Sequence, residues 1–261
     1  MEDLVYLYRY VDVLLIIFVR ILGAIAFLPI IDESRMPRIA MAGFSLAISL
    51  SVFFNMDVSA NYYNPNLVSY TILIVKETIV GLVMGFVVKI FFQIYPFVGS
   101  LLSMQGGLGM SMVMDPTAGT QSALIGRLYN LGLGAFFVLS GGYHWFIHTL
   151  VQSFELIPIN QELFGPNVVM NIIDSISLYF ELGLKLSMPI VSVILIIDFA
   201  MGILARTVPQ MNMFVIGIPL KMLIMFILMV VTIQVISQYN TIIIENLVNT
   251  LMNIIQGLRM L

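Results

Sequence analysis

The 261-residue chain contains no cysteine and few charged side chains. The absence of cysteine excludes disulfide scaffolds, thiolate metal sites, iron–sulfur clusters and cysteine nucleophiles. Asp, Glu, Lys and Arg make up 10% of the residues, whereas a soluble domain typically carries about 25% because its surface must be solvated. The net charge of −3 gives no electrostatic basis for binding nucleic acid. The chain is therefore not expected to be a soluble or a nucleic-acid-binding protein.

Hydrophobic residues make up 60% of the chain and lie in long runs. About 20 apolar residues are needed to cross the hydrocarbon core of a bilayer as a helix. Six segments approach this length, the second of them short: residues 11–31, 39–54, 67–95, 128–151, 176–197 and 214–237. Lipid offers no partner to unpaired backbone groups, and no ten-residue alternating pattern suggests a barrel. The sequence predicts an all-α, polytopic membrane protein of about six hydrophobic helices.

The few basic residues between these segments predict an orientation. Residues 32–38 contain two arginines, and Arg206 precedes the last segment, whereas residues 55–66 and 155–175 contain no Lys or Arg. Basic loops stay in the cytoplasm, so both termini are predicted on the opposite side. Arg206 is expected to contact either lipid headgroups or a carboxylate such as that of Asp198.

Residues 96–127 are too long for a tight turn and too apolar for an ordinary loop. They include Gly106, Gly107 and Gly109, followed by Asp115-Pro116, which break helices. Methionines are concentrated in the same stretch, at positions 104, 110, 112 and 114. Irregular backbone at membrane depth is tolerated only where protein buries it or where it lines a wet cavity. The sequence predicts an irregular Gly/Met-rich loop, either a structural re-entrant segment or a functional one.

Small and charged residues form stripes within the apolar segments. Glu77, Gly81, Gly85 and Lys89 follow at steps of four, and Gly43, Ala47 and Ser51 repeat this spacing. Small residues at this spacing let another helix backbone approach closely. Packing within the chain is the commoner use of such stripes. Their number favours the alternative, in which several surfaces contact other subunits of an obligate assembly.

Enzyme and metal-site readings have little support. His144 and His148 lie four residues apart, as two zinc ligands on a helix would. However, Trp145 stands where a zinc protease carries its glutamate, and no third ligand is nearby. Residues 109–112 share only part of the serine motif of intramembrane proteases, without its final glycine. We expect no catalytic, metal or cofactor-binding site.

Three segments go beyond a generic membrane protein. The first joins residues 105–108 (QGGL) to 114–116 (MDP), the second joins 142–145 (GYHW) to 153–159 (SFELIPI), and the third is 206–220 (RTVPQMNMFVIGIPL). In this order, over nearly the whole chain, they resemble the FliR family, the R subunits of the flagellar protein-export gate. Relatives of that family serve virulence type III secretion, and the Asp-Pro pair favours the flagellar branch. The GGYH at 141–144 departs from the Asn-Gly-His frequent in flagellar members.

The resemblance implies a non-enzymatic subunit of one domain, residues 1–261, in the bacterial inner membrane and the flagellar basal body. It implies P and Q subunits and the B-type switch protein as partners, with exported flagellar proteins in transit. It also implies kinked helices partly lifted out of the bilayer and a loop at 105–121 that plugs the closed channel. The candidate plug residues are Met104, Gln105, Gly106, Gly107, Leu108, Gly109, Met110, Met112, Met114, Asp115 and Pro116. The candidate subunit-packing residues are Glu77, Gly81, Gly85, Lys89, Arg206, Pro209, Gln210 and Asn212.

A secondary transporter of a small solute is the alternative reading, because transporters also have broken helices and charges within the membrane. Such a protein typically shows an internal repeat with paired breaks in its two halves. The chain has one glycine-rich break and no convincing repeat. The sequence therefore favours the export-gate reading.

Overall fold

The described part of the computed structural model is helical. It comprises residues 2–28, 37–55, 66–107, 124–162, 164–208, 210 and 213–259. The helices are α1 (Glu2–Ile25), α2 (Arg38–Asn55), α3 (Leu67–Phe92), α4 (Ile94–Gln105), α5 (Leu124–Leu139), α6 (Gly142–Leu156), α7 (Pro166–Thr207), α8 (Met213–Val231) and α9 (Ile233–Leu258). Among these residues the only extended pairing is an isolated bridge between Glu162 and Arg259. The predicted all-α class is confirmed.

Three described helical stretches are long and apolar enough to cross a membrane: α2, the α3–α4 stretch Leu67–Gln105, and α7. Helices α8 and α9 pass the same test only together, and they are bent by 61° at their junction. The apolar helix α5 is shorter. The prediction of a polytopic protein of hydrophobic helices is confirmed, but the described part contains three or four candidate spans rather than six.

Two predicted boundaries were wrong. The segment 128–151 is divided between α5 and α6 by a turn at Gly141, whose φ of 74° suits glycine because it has no Cβ. The stretch 96–127 is not irregular from its start, because α4 continues to Gln105. Pro96 lies in the first turn of α4, where a missing N–H removes no helical hydrogen bond. Residues 108–123 lie outside the described residues.

Helix α7 is longer than the segment 176–197 predicted within it. It has 42 residues, begins at Pro166 and continues through Pro189. Proline is favoured at the first helical position because its fixed φ already suits the helix. At 1.5 Å per residue the helix measures about 63 Å, roughly twice the thickness of a hydrocarbon core.

The contacts within the chain divide it into two compact units. Unit 1 comprises Met1–Ile90, Gly141–Ser175 and Leu247–Leu261, and in it α1 packs against α2. Unit 2 comprises Phe91–Ser140 and Ile176–Asn246, and in it α4 packs against α5. The predicted single domain stays a prediction.

Candidate functional site

A fully buried ion pair joins α1 to α3 in unit 1. Arg20 Nε donates to Glu77 Oε2, and neither side chain has any exposed surface. Arg20 Nη1 also donates to the carbonyl oxygens of Ser153, at 3.3 Å, and Ile157, at 3.1 Å. The guanidinium carbon lies 4.2 Å from the ring centre of Phe154. A charge inside an apolar segment is costly unless it is paired, so these contacts explain how α1 accommodates Arg20.

The same charges hold the turn that follows α6. The backbone N–H of Asn160, which has a φ of 67°, donates to Glu77 Oε1 at 3.3 Å. Lys76 Nζ lies 3.2 Å from Glu162 Oε1, close enough for an ion pair, although the atoms are not aligned for a hydrogen bond. The Glu162 side chain is fully buried. Two cations and two carboxylates of unit 1 therefore converge on one short turn.

The sequence did not predict these pairings. Arg20 and Glu77 are separated by 57 positions, and residue spacing gives no signal over that distance. The available signal was that both are charged residues of opposite sign within predicted apolar segments, where each needs a partner. Lys76 and Glu162 were not singled out at all.

The stripe on α3 packs against α1 of the same chain. A Cβ atom on Gly81 would lie 2.0 Å from the carbonyl oxygen of Arg20, and one on Gly85 would lie 2.4 Å from that of Ala24. Real Cβ atoms do not approach backbone so closely, so both positions require glycine. Together with the Glu77 ion pair, these contacts identify the stripe as packing within the chain, the commoner alternative. Contact of these residues with another subunit stays a prediction.

Other small and charged positions are exposed. Lys89 is exposed, and its Nζ lies 5.0 Å from the ring centre of Phe27. Gly43, Ala47 and Ser51 of α2 are also exposed. A Cβ on Gly43 would have no described atom within 4 Å. The described residues therefore leave this face of α2 uncovered.

The start of the predicted plug is a glycine turn that packs against α8 in unit 2. The backbone N–H of Gly106 donates to the carbonyl oxygen of Leu102 at 2.7 Å. A Cβ atom added to Gly106 would lie 2.4 Å from Met225 Sδ. Gly107 has a φ of 86°, and its Cβ would lie 3.2 Å from Ile218 Cγ2. The turn thus lies tightly against α8, and Gly107 has a backbone conformation that favours glycine.

The other candidate plug residues divide into two groups. Met104 and Gln105 belong to the last turn of α4 rather than to a loop, and Met104 is 72% exposed. The rest lie outside the described residues: Leu108, Gly109, Met110, Met112, Met114, Asp115 and Pro116.

An ion pair joins helices α7 and α8. Asp198 Oδ1 pairs with Lys221 Nζ, so the carboxylate proposed as one partner for Arg206 is taken by another residue. Arg206 lies exposed in the last turn of α7 and forms no ion pair with a described residue. Gln210 is exposed, whereas Pro209 and Asn212 lie outside the described residues.

Few residues of helix α7 are buried in the described part of the chain. Among its 18 most apolar consecutive residues the buried share is 11%, compared with 17% for α2. On the exposed side, Lys185 Nζ pairs with Glu181 Oε1 at 2.5 Å, with both side chains more than half exposed. Large apolar surfaces of this kind are covered by lipid or by other proteins.

The two histidines form no recognisable metal site. Both are exposed on α6, and the ring centre of His144 lies 4.0 Å from that of Tyr143, with the two rings tilted by 39°. Across the described stretches, no group of three or more His, Cys, Asp or Glu residues could hold a metal ion.

Comparisons with known proteins find relatives over most of the chain. Residues 11–247 match the family described as "Bacterial export proteins, family 1". The flagellar biosynthetic protein FliR of Bacillus subtilis (strain 168) is 31% identical over 227 residues, which cover 85% of this chain and 86% of that relative. FliR of Escherichia coli (strain K12) is 26% identical over 240 residues, 92% and 91% of the two chains. The surface presentation of antigens protein SpaR of Shigella flexneri is 27% identical over 213 residues, 79% of each.

Proposed function

Since the chain belongs to the bacterial export proteins of family 1, we propose that it is the R subunit of a flagellar protein-export gate. The observation that carries this proposal is the family match over residues 11–247. Relatives of both the flagellar and the virulence type are similar to the chain. The flagellar assignment is supported by the Asp115-Pro116 pair. The identities do not separate the two types, because FliR of Bacillus subtilis is 31% identical, SpaR 27% and FliR of Escherichia coli 26%.

In this role the chain is a non-enzymatic part of the channel wall in the bacterial inner membrane, within the flagellar basal body. It assembles with P and Q subunits beside the B-type switch protein, and unfolded flagellar proteins pass through in transit. The exposed apolar faces of α2 and α7 support this, because few of their residues are buried within the described part of the chain. Membrane lipid and sister subunits cover these faces in the assembled gate.

The proposal also includes a plug, a Gly/Met-rich loop that blocks the closed channel. A channel wide enough for an unfolded polypeptide must be filled at rest, or ions would cross it. The segment that follows Gly107 is rich in glycine and methionine, which fit a narrow and variable space because one lacks a side chain and the other is flexible. The packing of Gly106 against Met225 gives this segment a fixed starting point on α8.

The candidate subunit-packing residues act in two ways. Lys89, Arg206 and Gln210 are exposed and are available for direct contacts in the gate. Glu77, Gly81 and Gly85 act indirectly, because they hold α1 against α3.

Purification of the tagged full-length chain from its native host in mild detergent tests the assignment. We expect P and Q subunits to co-purify, as identified by mass spectrometry, and the gene to be needed for motility. A lone chain that transports a small solute in reconstituted vesicles would contradict the proposal and support the secondary transporter. The untagged chain, purified in the same way, is the control and should yield neither partner.

A further inference from the structure

Helix α9 carries a row of polar side chains on its exposed side. In unit 2 this row consists of Gln234, Gln238, Thr241 and Glu245, all of which are exposed. Successive members are three or four residues apart, so they lie on one side of the helix. We call these four residues the polar face of α9.

The opposite side of α9 is packed within unit 2. Asn240 and Ile243 are 7% and 1% exposed. The hydroxyl group of Tyr95, in α4, donates a hydrogen bond to Asn240 Oδ1. These contacts fix the orientation of α9, so its polar face is turned away from the packed side.

The polar face has no partners within the described part of the chain. None of its four side chains forms a hydrogen bond or an ion pair with a described residue. Glu181 of α7 differs, because its exposed carboxylate pairs with Lys185 one helical turn away. Glu245 is therefore a negative charge that the described residues leave without a neutralising cation.

Neither lipid nor bulk water suits this surface. Amides, a hydroxyl group and a carboxylate without partners are costly in hydrocarbon. Glu245 is the single charged residue among the 26 of α9, fewer than a water-facing surface typically carries. Apolar Val235 and Ile242, 38% and 39% exposed, lie beside the polar face. In membrane proteins, Gln, Asn, Ser and Thr side chains form hydrogen bonds with a neighbouring helix.

We propose that the polar face of α9 binds a helix of another export-gate subunit, one that carries amide or hydroxyl side chains and a Lys or Arg opposite Glu245. Amide and hydroxyl groups can both donate and accept hydrogen bonds, so they complement Gln234, Gln238 and Thr241. A carboxylate that becomes buried at an interface requires a cation. The inference rests on the proposed function, which supplies the other subunits, and it names a contact surface other than the apolar faces of α2 and α7.

Photo-crosslinking in the native complex tests this contact. A benzophenone-bearing amino acid replaces Thr241 or Gln238 in the tagged full-length chain, and the purified complex is irradiated and analysed by mass spectrometry. We expect both positions to form an adduct with the same gate subunit. The same probe at Tyr143 of α6, which is exposed and already aromatic, is the control and should not give this adduct. Adducts with an exported protein, or with no protein, would overturn the proposal. If P and Q subunits are absent from the complex, the proposed function fails as well, whereas a complex that contains them but gives no adduct overturns this inference alone.

Charge exchange tests the expected cation on the partner helix. Glu245→Lys places like charges together, and we expect it to lower the amount of co-purified partner subunit by about tenfold or more. Glu245→Gln keeps a polar side chain of similar size and should lower it less. Replacement of the partner's basic residue, located by the crosslink, with Glu should restore the complex of Glu245→Lys. Glu155→Lys is the matched control and should leave the yield unchanged, because Glu155 is exposed and forms no ion pair with a described residue. A normal yield with Glu245→Lys, or no recovery on exchange, would overturn the proposal.

Discussion

The carbonyl oxygen of Ala24 lies 2.4 Å from the point that a Cβ atom on Gly85 would occupy. The backbones of α1 and α3 are therefore in direct contact, and Gly85→Ala should force them apart. Overpacking of this kind typically costs about 1–3 kcal/mol, so we expect a lower Tm for the purified protein. Gly43→Ala is the matched control, because its Cβ meets no described atom and alanine favours the helix. Similar Tm changes in the two variants would contradict the close packing of Gly85.

Removal of one member of the Arg20–Glu77 pair should be more damaging than removal of both. A buried charge left without its partner costs about 3–5 kcal/mol, whereas apolar replacement of both is often tolerated. We expect Glu77→Met or Arg20→Met alone to abolish accumulation of folded protein and the double variant to recover part of it. Yields in mild detergent provide the measurement. The control is Glu155→Ala, which should change little because that carboxylate is exposed and forms no ion pair with a described residue. A double variant no better than either single one would argue against the coupling.

The contact between Asp198 and Lys221 predicts rescue by charge exchange. Asp198→Lys places two cations together, and Lys221→Asp places two anions together, so each should weaken the packing of α7 on α8. The double exchange restores one charge of each sign and should recover motility in swimming assays. If motility remains at the level of the single variants, the ion pair has no role in the assembled protein.

Arg206 should act through its charge rather than through a particular carboxylate. It is exposed, and Asp198 is already paired with Lys221. Arg206→Ala should therefore disturb membrane orientation, and addition of Gln210→Arg should restore it, because the positive-inside effect depends on loop charge. The chain has no cysteine, so single introduced cysteines can report the orientation by labelling without background. Failure of the relocated charge to restore function would point to a specific protein partner.

Deletion of residues 108–114 tests the plug and leaves the Gly106–Gly107 turn on α8. The gate should assemble but conduct ions, and each elementary charge that crosses at 100 mV dissipates about 2.3 kcal/mol. Overproducing cells should show raised membrane conductance and slower growth, while native gels show an assembled complex. Gly106→Leu is a contrasting variant, because its side chain would meet Met225 and should impair folding instead. An assembled deletion variant with normal conductance would end the plug proposal.

The helical class followed from composition because lipid leaves the backbone few ways to satisfy its hydrogen bonds. The local breaks were harder to predict, because they depend on single residues. Gly141 interrupts an apolar segment that was predicted to be one membrane-spanning helix. In contrast, Pro96 and Pro189 lie in helices that continue past them. A helix tolerates proline in its first turn, or where neighbouring groups satisfy the freed carbonyl.

The pairing of Arg20 with Glu77 could not be predicted from the sequence for a different reason. The need of Arg20 for a partner was evident from its apolar surroundings, but Glu77 is one of several acidic residues within apolar segments. Glu77 becomes the partner of Arg20 because α1 and α3 are in close contact, which Gly81 and Gly85 permit. The Glu181–Lys185 pair differs, because its members lie four residues apart on one helix, where spacing alone indicates a contact.

The buried position of Arg20 also sets an order of events during synthesis of the chain. Glu77 lies 57 positions after Arg20 in the sequence, and Ile157 lies 137 positions after it. At about 5–20 residues per second, the ribosome reaches the first partner about 3–11 s later and the second about 7–27 s later. During that interval, release of α1 into lipid would leave an unpaired charge in hydrocarbon. We therefore expect α1 to complete its packing only after α3 has emerged, and its final hydrogen bonds to form only after α6 has been made.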